Sequence, residues 1–129
     1  MARRPPGTVL VVDGANVVGA RPDGWWKDRA GAAQRLHERL MTAALPHDLV
    51  VLVLEGQAKG GVRAGRDAHV RTVHAGGNGD DTIVAETEKA AVAGSRVSVV
   101  TADRILMGRV EFHGATVMSP TWLLGELDD

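Results

Sequence analysis

The sequence predicts an α/β domain: a three-layer α/β/α sandwich on a mainly parallel sheet. Three short apolar runs, residues 8–12, 49–54 and 97–101, alternate with stretches of helical spacing, and each run leads into a carboxylate. Continuous apolar runs of this length read as strands buried on both faces, as parallel sheets require. Strands alternating with helices connect through right-handed crossovers, which places helices on both faces. With 129 residues, 44% hydrophobic and 24% charged, the chain has the size and usage of one ordinary globular domain.

Along the chain, residues 1–7 (Met-Ala-Arg-Arg-Pro-Pro-Gly) are expected to be a flexible N-terminal tail, and residues 8–127 the single domain. The first strand, residues 8–12, ends in Asp13-Gly14. A helix is predicted over 27–45, where Ala33, Leu36, Leu40, Met41 and Ala44 recur at spacings of three and four. The second strand, Leu49–Leu54, runs into Glu55-Gly56. Residues 56–67 carry too many glycines for a helix and are expected to form a mobile surface loop. A weaker strand is read at 70–74, followed by the flexible Gly76-Gly77-Asn78-Gly79. A helix over 81–93 follows from Ile83, Val84, Thr87, Ala90 and Ala91, with Gly94 as its stop. The third strong strand, 97–101, leads to Asp103. A short helix at 104–110, a weak strand at 115–118 and a helix at 121–127 complete the chain. Asp128 and Asp129 are expected to fray.

Three strands that end in Asp13, Glu55 and Asp103 place those acids along one edge of a parallel sheet, where open α/β folds bind ligands. The pair Asp80-Asp81 opens a helix at the same edge. Folding does not call for several acids at adjacent strand ends, because their repulsion raises pKa values and costs stability. A divalent cation resolves that conflict, and magnesium suits a site built only of oxygen donors. Each acid taken alone has a plainer explanation: Asp13 as a turn former, Asp80 or Asp81 as a helix cap, Asp103 as a cap of the helix from Arg104. Asn16 is placed to position a water, a phosphate or Asp13 itself, or simply to cap a helix start. Thr101 is placed to hydrogen-bond a neighbouring carboxylate.

Other function classes lack their signatures. The absence of cysteine excludes disulfides and thiolate zinc sites. No Gly-x-Ser-x-Gly elbow, Cys–His pair or phosphate-loop pattern is present, and the five histidines show no ligand spacing. No apolar run has the length of a signal peptide or membrane span, so a cytoplasmic protein without a membrane partner is expected. The net charge of -1 announces no global basic field. Lys59, Arg63 and Arg66 on the glycine-rich loop, and Arg104 beside Asp103, are nevertheless candidate phosphate ligands, with a merely solvated loop as the plain alternative. Trp25, next to Trp26, is a candidate platform for unpaired bases, or else a core residue.

The segments Val-Asp-Gly-Ala-Asn-Val at 12–17, Gly-Asp-Asp-Thr-Ile-Val at 79–84 and Val-Val-Thr-Ala-Asp-Arg at 99–104 resemble the three signature segments of NYN domains, members of the PIN-like nuclease superfamily. Met-Ser-Pro at 118–120, followed by Trp122, Leu123 and Leu124, resembles that family's last strand and helix. The resemblance implies a five-stranded parallel sheet of order 3-2-1-4-5 and a ribonuclease dependent on Mg2+ or Mn2+. It also implies that Asp13, Asp80 and Asp103 bind metal, that Asp81 joins them in catalysis, and that Asn16 supports them. One departure stands out: many active members carry a further acid one helical turn after the third segment, where this chain has Met107. Either Glu86 or Glu55 compensates, or a single metal suffices; otherwise activity is expected to be weak or absent.

These readings lead to a metal-dependent ribonuclease acting on single-stranded or structured RNA. An RNA-binding or regulatory module with little catalysis, and a nucleotide phosphohydrolase, are the alternatives. The RNA target, a protein partner and the oligomeric state, a homodimer included, are open at this point.

Overall fold

The structure is a computed structural model, and it describes residues 6–128. Most of the expected tail (residues 1–5) and the final Asp129 lie outside the described residues. Gly7, counted with the tail, is anchored: its N–H donates to Asp48 Oδ2 at 2.9 Å and its carbonyl accepts from Arg96 N at 2.8 Å.

The strands are β1 (Thr8–Asp13), β2 (Leu49–Leu54), β3 (Gly65–Asp67), β4 (Val70–His74), β5 (Arg96–Val100) and β6 (Thr116–Met118). The helices are α1 (Gly14–Gly19), α2 (Arg29–Thr42), α3 (Gly79–Val92), α4 (Arg104–Glu111) and α5 (Pro120–Asp128). The sheet order is β3-β4-β2-β1-β5-β6. Neighbours from β4 to β6 pair in parallel, whereas β3 is antiparallel to β4. The expected five-stranded sheet is therefore corrected to a mixed sheet of six strands.

The added strand comes from the segment expected to be a mobile loop. Residues Gly56–Gly61 form a 3-10 turn, and β3 follows, registered Gly65 to Thr72 and Asp67 to Val70. Its three residues carry no apolar pattern, so only backbone pairing with β4 defines them, and composition does not reveal that. The turn is pressed against the first turn of α2. A Cβ added at Gly61 would lie 1.9 Å from the Ala30 carbonyl oxygen, so the glycine here permits close approach.

Alternation along the central strands builds two cores, as a period of two dictates. Leu10, Val12, Val50, Leu52 and Leu54 face Val17, Ala33, Leu36, Leu40 and Leu123 on α1, α2 and α5. Val9, Val11, Val51 and Val53 face Ile83, Leu106 and Val110 on α3 and α4. Both faces are covered, which explains why the strands read as unbroken apolar runs. Among the described residues no helix is long and apolar enough to cross a membrane.

Helix boundaries shift where caps compete with periodicity. The second helix begins at Arg29 rather than Lys27, because the Asp28 carboxylate accepts from Gly31 N at 2.9 Å and so caps it. Trp25–Lys27 forms a separate 3-10 turn. The short α1 occupies the segment that Asp-Gly-Ala-Asn also lets read as a turn. It starts directly at the end of β1, with Asp13 as its cap and Gly14 buried beneath it. A Cβ at Gly14 would sit 2.7 Å from the Val53 carbonyl oxygen and 2.9 Å from Leu54 Cδ2. Glycine therefore lets the helix start against β2.

Candidate functional site

The C-terminal ends of β1, β2 and β5 adjoin one another, and the start of α3 lies at the same edge. Asp13 is the last residue of β1 and is only 4% exposed. Its Oδ2 accepts from Asn16 Nδ2 at 2.7 Å and from the Thr101 hydroxyl at 2.8 Å, while Oδ1 accepts from Asn16 N at 3.3 Å. Asn16 in turn accepts from Ala102 N at 3.3 Å, and the Thr101 hydroxyl accepts from Asp103 N at 3.2 Å. One hydrogen-bonded chain thus ties the first and third acidic segments together. Burial pushes the Asp13 carboxyl above its ordinary range. The Thr101 and Asn16 bonds oppose that rise, and the charge of Glu55 adds to it.

Asp80 lies in the first turn of α3. Its N–H is capped by Asn78 Oδ1 at 3.1 Å. Its carboxyl is raised by partial burial, then by the charges of Asp103 and Asp13, with Arg109 pulling the other way. The Asp80 carboxyl therefore lies within electrostatic reach of Asp103 and Asp13. The three acids do not form a closed cluster, however. Among the described residues no three His, Asp or Glu side chains are grouped so as to hold a metal ion as they stand. Asp103 is turned onto its own helix, where Oδ1 accepts from Ile105 N at 2.9 Å and Leu106 N at 3.0 Å.

Other candidates have structural partners. Asp81 is exposed and pairs with Arg109 at 2.8 Å, bridging α3 and α4. Glu86 pairs with Arg71, so it does not replace the acid that Met107 lacks. Glu55, by contrast, is at the edge: its Oε2 accepts from Gly79 N at 2.8 Å and so caps α3 from a different strand. That cap was invisible in the sequence because it joins residues far apart along the chain.

The cations are spread out rather than gathered in one strip. Arg104 opens α4 beside Asp103 and is exposed. Lys59 donates to the Ala75 carbonyl at 3.0 Å, just beyond the end of β4. Arg63 precedes β3 and is exposed. Arg66 lies on β3, three strands from β1 (roughly 14 Å across the sheet), and its Nε donates to the Ala68 carbonyl at 2.8 Å. The structure does not bring Arg66 to the acids.

Two clefts flank α1 at this edge. One, of about 440 Å³, is lined by Gly14, Ala15, Trp25, Arg29, Glu55 and Asn78 among others. The second, of about 550 Å³, runs over Ala15, Asn16, Trp25, Ala102 and Pro120. Ala15 and Trp25 belong to both, so the clefts meet above the residues that follow Asp13. Trp25 is half-buried, and the Arg29 guanidinium lies 5.1 Å from its ring centroid. Arg29 was not singled out in the sequence. No sequence signal marks the contact, because Trp25 lies in the 3-10 turn and Arg29 opens α2, with the Asp28 cap between them.

No protein-family model and no curated protein matches the chain. Solved structures do. Rae1 (YacP) from Bacillus subtilis, as a tryptophan-to-leucine mutant, superposes with a TM-score of 0.75 at 20% identity, over 94% of this chain and 75% of that one. A second structure of Rae1 (YacP) gives 0.71 at 23% identity, over 93% and 73%. At such identities the likeness shows a shared fold.

Proposed function

We propose that the chain is a ribonuclease dependent on Mg2+ or Mn2+, hydrolysing RNA phosphodiester bonds at the edge formed by Asp13, Asp80 and Asp103. The observation that carries this reading is the convergence of the acids at one sheet edge: Thr101 links Asp13 to Asp103, and the Asp80 carboxyl beside them is raised by partial burial and then by their charges. Acids within electrostatic reach of one another are what a cation relieves. The donor set is all oxygen, which fits a hard divalent ion. Magnesium commonly uses one or two carboxylates together with waters and substrate phosphate oxygens, so a pre-closed trio is not required. Bound there, the ion would supply Lewis-acid activation of the phosphate and a more acidic water.

The residues of the chain have separable tasks in this scheme. Asn16 and Thr101 hold the Asp13 carboxylate in a fixed orientation, and their bonds favour its ionised form. Asp80, on the first turn of α3 behind a glycine-rich loop, offers a carboxylate without a capping duty. Asp103 spends Oδ1 on the start of α4, so Oδ2 is the oxygen it offers. Arg104 lies where a phosphate beside Asp103 would need a cation. Support for a nucleic-acid substrate comes from the paired clefts with Trp25 between them, and from the signature segments that resemble NYN domains.

The test is to incubate the purified protein with RNA, DNA and nucleoside triphosphates, each with manganese or with a chelator. Chelator-sensitive cutting of RNA that disappears in Asp80→Asn is expected. Triphosphate turnover without RNA cutting would replace this reading with that of a nucleotide phosphohydrolase. A second reading, an RNA-binding module without efficient catalysis, is favoured by Met107 together with the engagement of Glu86 by Arg71. RNA binding with no turnover at high protein concentration would establish it.

A further inference from the structure

We propose that the cleft between Trp25 and Glu55 is a nucleotide subsite that prefers guanine, with Arg29 as its stacking and charge-bearing group. The substrate class rests on the ribonuclease reading; the chemistry of the cleft is independent of it. Its volume of about 440 Å³ lies in the range of sites that enclose small molecules (about 300–1,000 Å³).

Three features of the lining select the ligand. First, Arg29 is exposed and has no carboxylate partner among the described residues, while its guanidinium rests against the Trp25 indole with 5.1 Å to the centroid. The indole limits its rotamers and presents a planar cation to the cleft. Guanidinium planes stack unpaired bases and bind phosphates by two parallel bonds. Second, Glu55 is held by the Gly79 N–H through Oε2 and remains an acceptor toward the cleft, since each carboxylate oxygen has two lone-pair sites. Guanine presents two adjacent donors, N1–H and the N2 amino group, to such a carboxylate. Uracil presents one donor flanked by two carbonyls that the carboxylate repels. Third, Asn78 spends its Oδ1 on the Asp80 N–H, which leaves its amide N–H groups as donors lining the same cleft, the complement of guanine O6.

The location gives the subsite a purpose. Gly14 and Ala15 follow Asp13 directly, and the charge of Glu55 is felt by Asp13. Ala15 and Trp25 also line the second cleft, which continues over Asn16 and Ala102. A strand with one base seated by Glu55 would pass across α1 beside Asp13, so the seated base would set which phosphate reaches the acids.

The experiment titrates the whole protein with GMP and with UMP in the presence of a chelator, following the indole N–H resonance of Trp25, assigned with Trp25→Phe. GMP is expected to shift that resonance and to bind at least about fivefold more tightly than UMP, a difference of about 1 kcal/mol. Arg29→Ala should weaken GMP about tenfold, and Arg29→Lys should restore less than half of the loss because it lacks the plane. Glu55→Gln, whose side-chain oxygen still accepts from Gly79 N–H, should bring GMP and UMP to equal affinity. Equal affinities in the unaltered protein, or Arg29→Ala with unchanged GMP binding, would overturn the subsite. RNA cutting that survives alongside either of those results leaves the ribonuclease reading standing alone. GMP bound through Trp25 and Arg29 by a protein that cuts no RNA upholds the subsite and defeats the ribonuclease reading.

Discussion

Replacing Thr101 by valine removes one hydroxyl from a fully buried position and leaves the shape almost unchanged. That hydroxyl donates to Asp13 Oδ2 at 2.8 Å and accepts from Asp103 N at 3.2 Å. A hydrogen bond to a charged group contributes roughly 1.5–3 kcal/mol, and the added methyl returns about 0.8 kcal/mol of burial. The net loss is thus about 1–2 kcal/mol, or roughly 4–8 °C in Tm for a domain of this size. The pH dependence makes the test specific. Burial already holds the Asp13 carboxyl above its unfolded value, so the folded state binds its proton more tightly than the unfolded chain does. For such an acid the penalty on folding is complete above the folded pKa and fades as pH falls toward the unfolded one. Loss of the Thr101 bond raises the folded value further and enlarges the penalty at neutral pH. Urea denaturation at about pH 7.5 and about pH 4.5 should therefore show the gap between Thr101→Val and the unaltered protein closing on acidification. A gap that is absent at neutral pH, or that widens in acid, would refute the reasoning.

Asp80→Asn should lower manganese affinity at least about tenfold by calorimetric titration, because one of the carboxylates at the sheet edge is removed. Asp81→Asn, which loses only the exposed pair with Arg109, should leave manganese affinity within about twofold in the same titration. Gly61→Ala should cost about 2–4 kcal/mol in denaturant melts, since the new Cβ meets the Ala30 carbonyl and the turn must move. In RNA binding measured by anisotropy in a chelator, Arg104→Ala should weaken affinity several-fold with a smaller salt slope, while Arg66→Ala should change it by less than about twofold.

What could be read from the chain and what could not divide along a physical line. β1, β2 and β5 were legible because burial on both faces demands an unbroken run of Val and Leu, a local property of the sequence. The acids at their ends were legible for the same reason, since the end of a parallel strand is a position that the run itself marks. The six residues of α1 were hidden because Asp-Gly-Ala-Asn fits a turn equally well. Only the packing of Gly14 onto the Val53 carbonyl decides for a helix. The strand β3 was hidden because its definition lies entirely in backbone pairing with β4. The cap that Glu55 places on α3, and the contact between Arg29 and Trp25, depend on where separate segments meet. Local pattern places Glu55 at the sheet edge and Trp25 as a base platform or core residue, but it contains neither contact.

The structure also weighs the plain explanations of the acids against the functional one, residue by residue. Asp103 caps α4, Asp13 caps α1 and Glu55 caps α3, so each satisfies backbone N–H groups that a helix start would otherwise leave without a partner. Capping alone would account for those three. It does not account for Asp80. The N–H of Asp80 is capped by Asn78, and among the described hydrogen bonds its own carboxyl accepts none, while partial burial and then its neighbours Asp103 and Asp13 push its pKa up. Asparagine or serine would fit that turn without the repulsion. An acid in the first turn of a helix is favoured by the helix dipole, but serine or asparagine fits there too, and this carboxyl also stands against the charges of Asp103, Asp13 and Asp81, which a bound cation would relieve. For that reason Asp80, rather than the more deeply buried Asp13, is the residue on which the metal proposal turns.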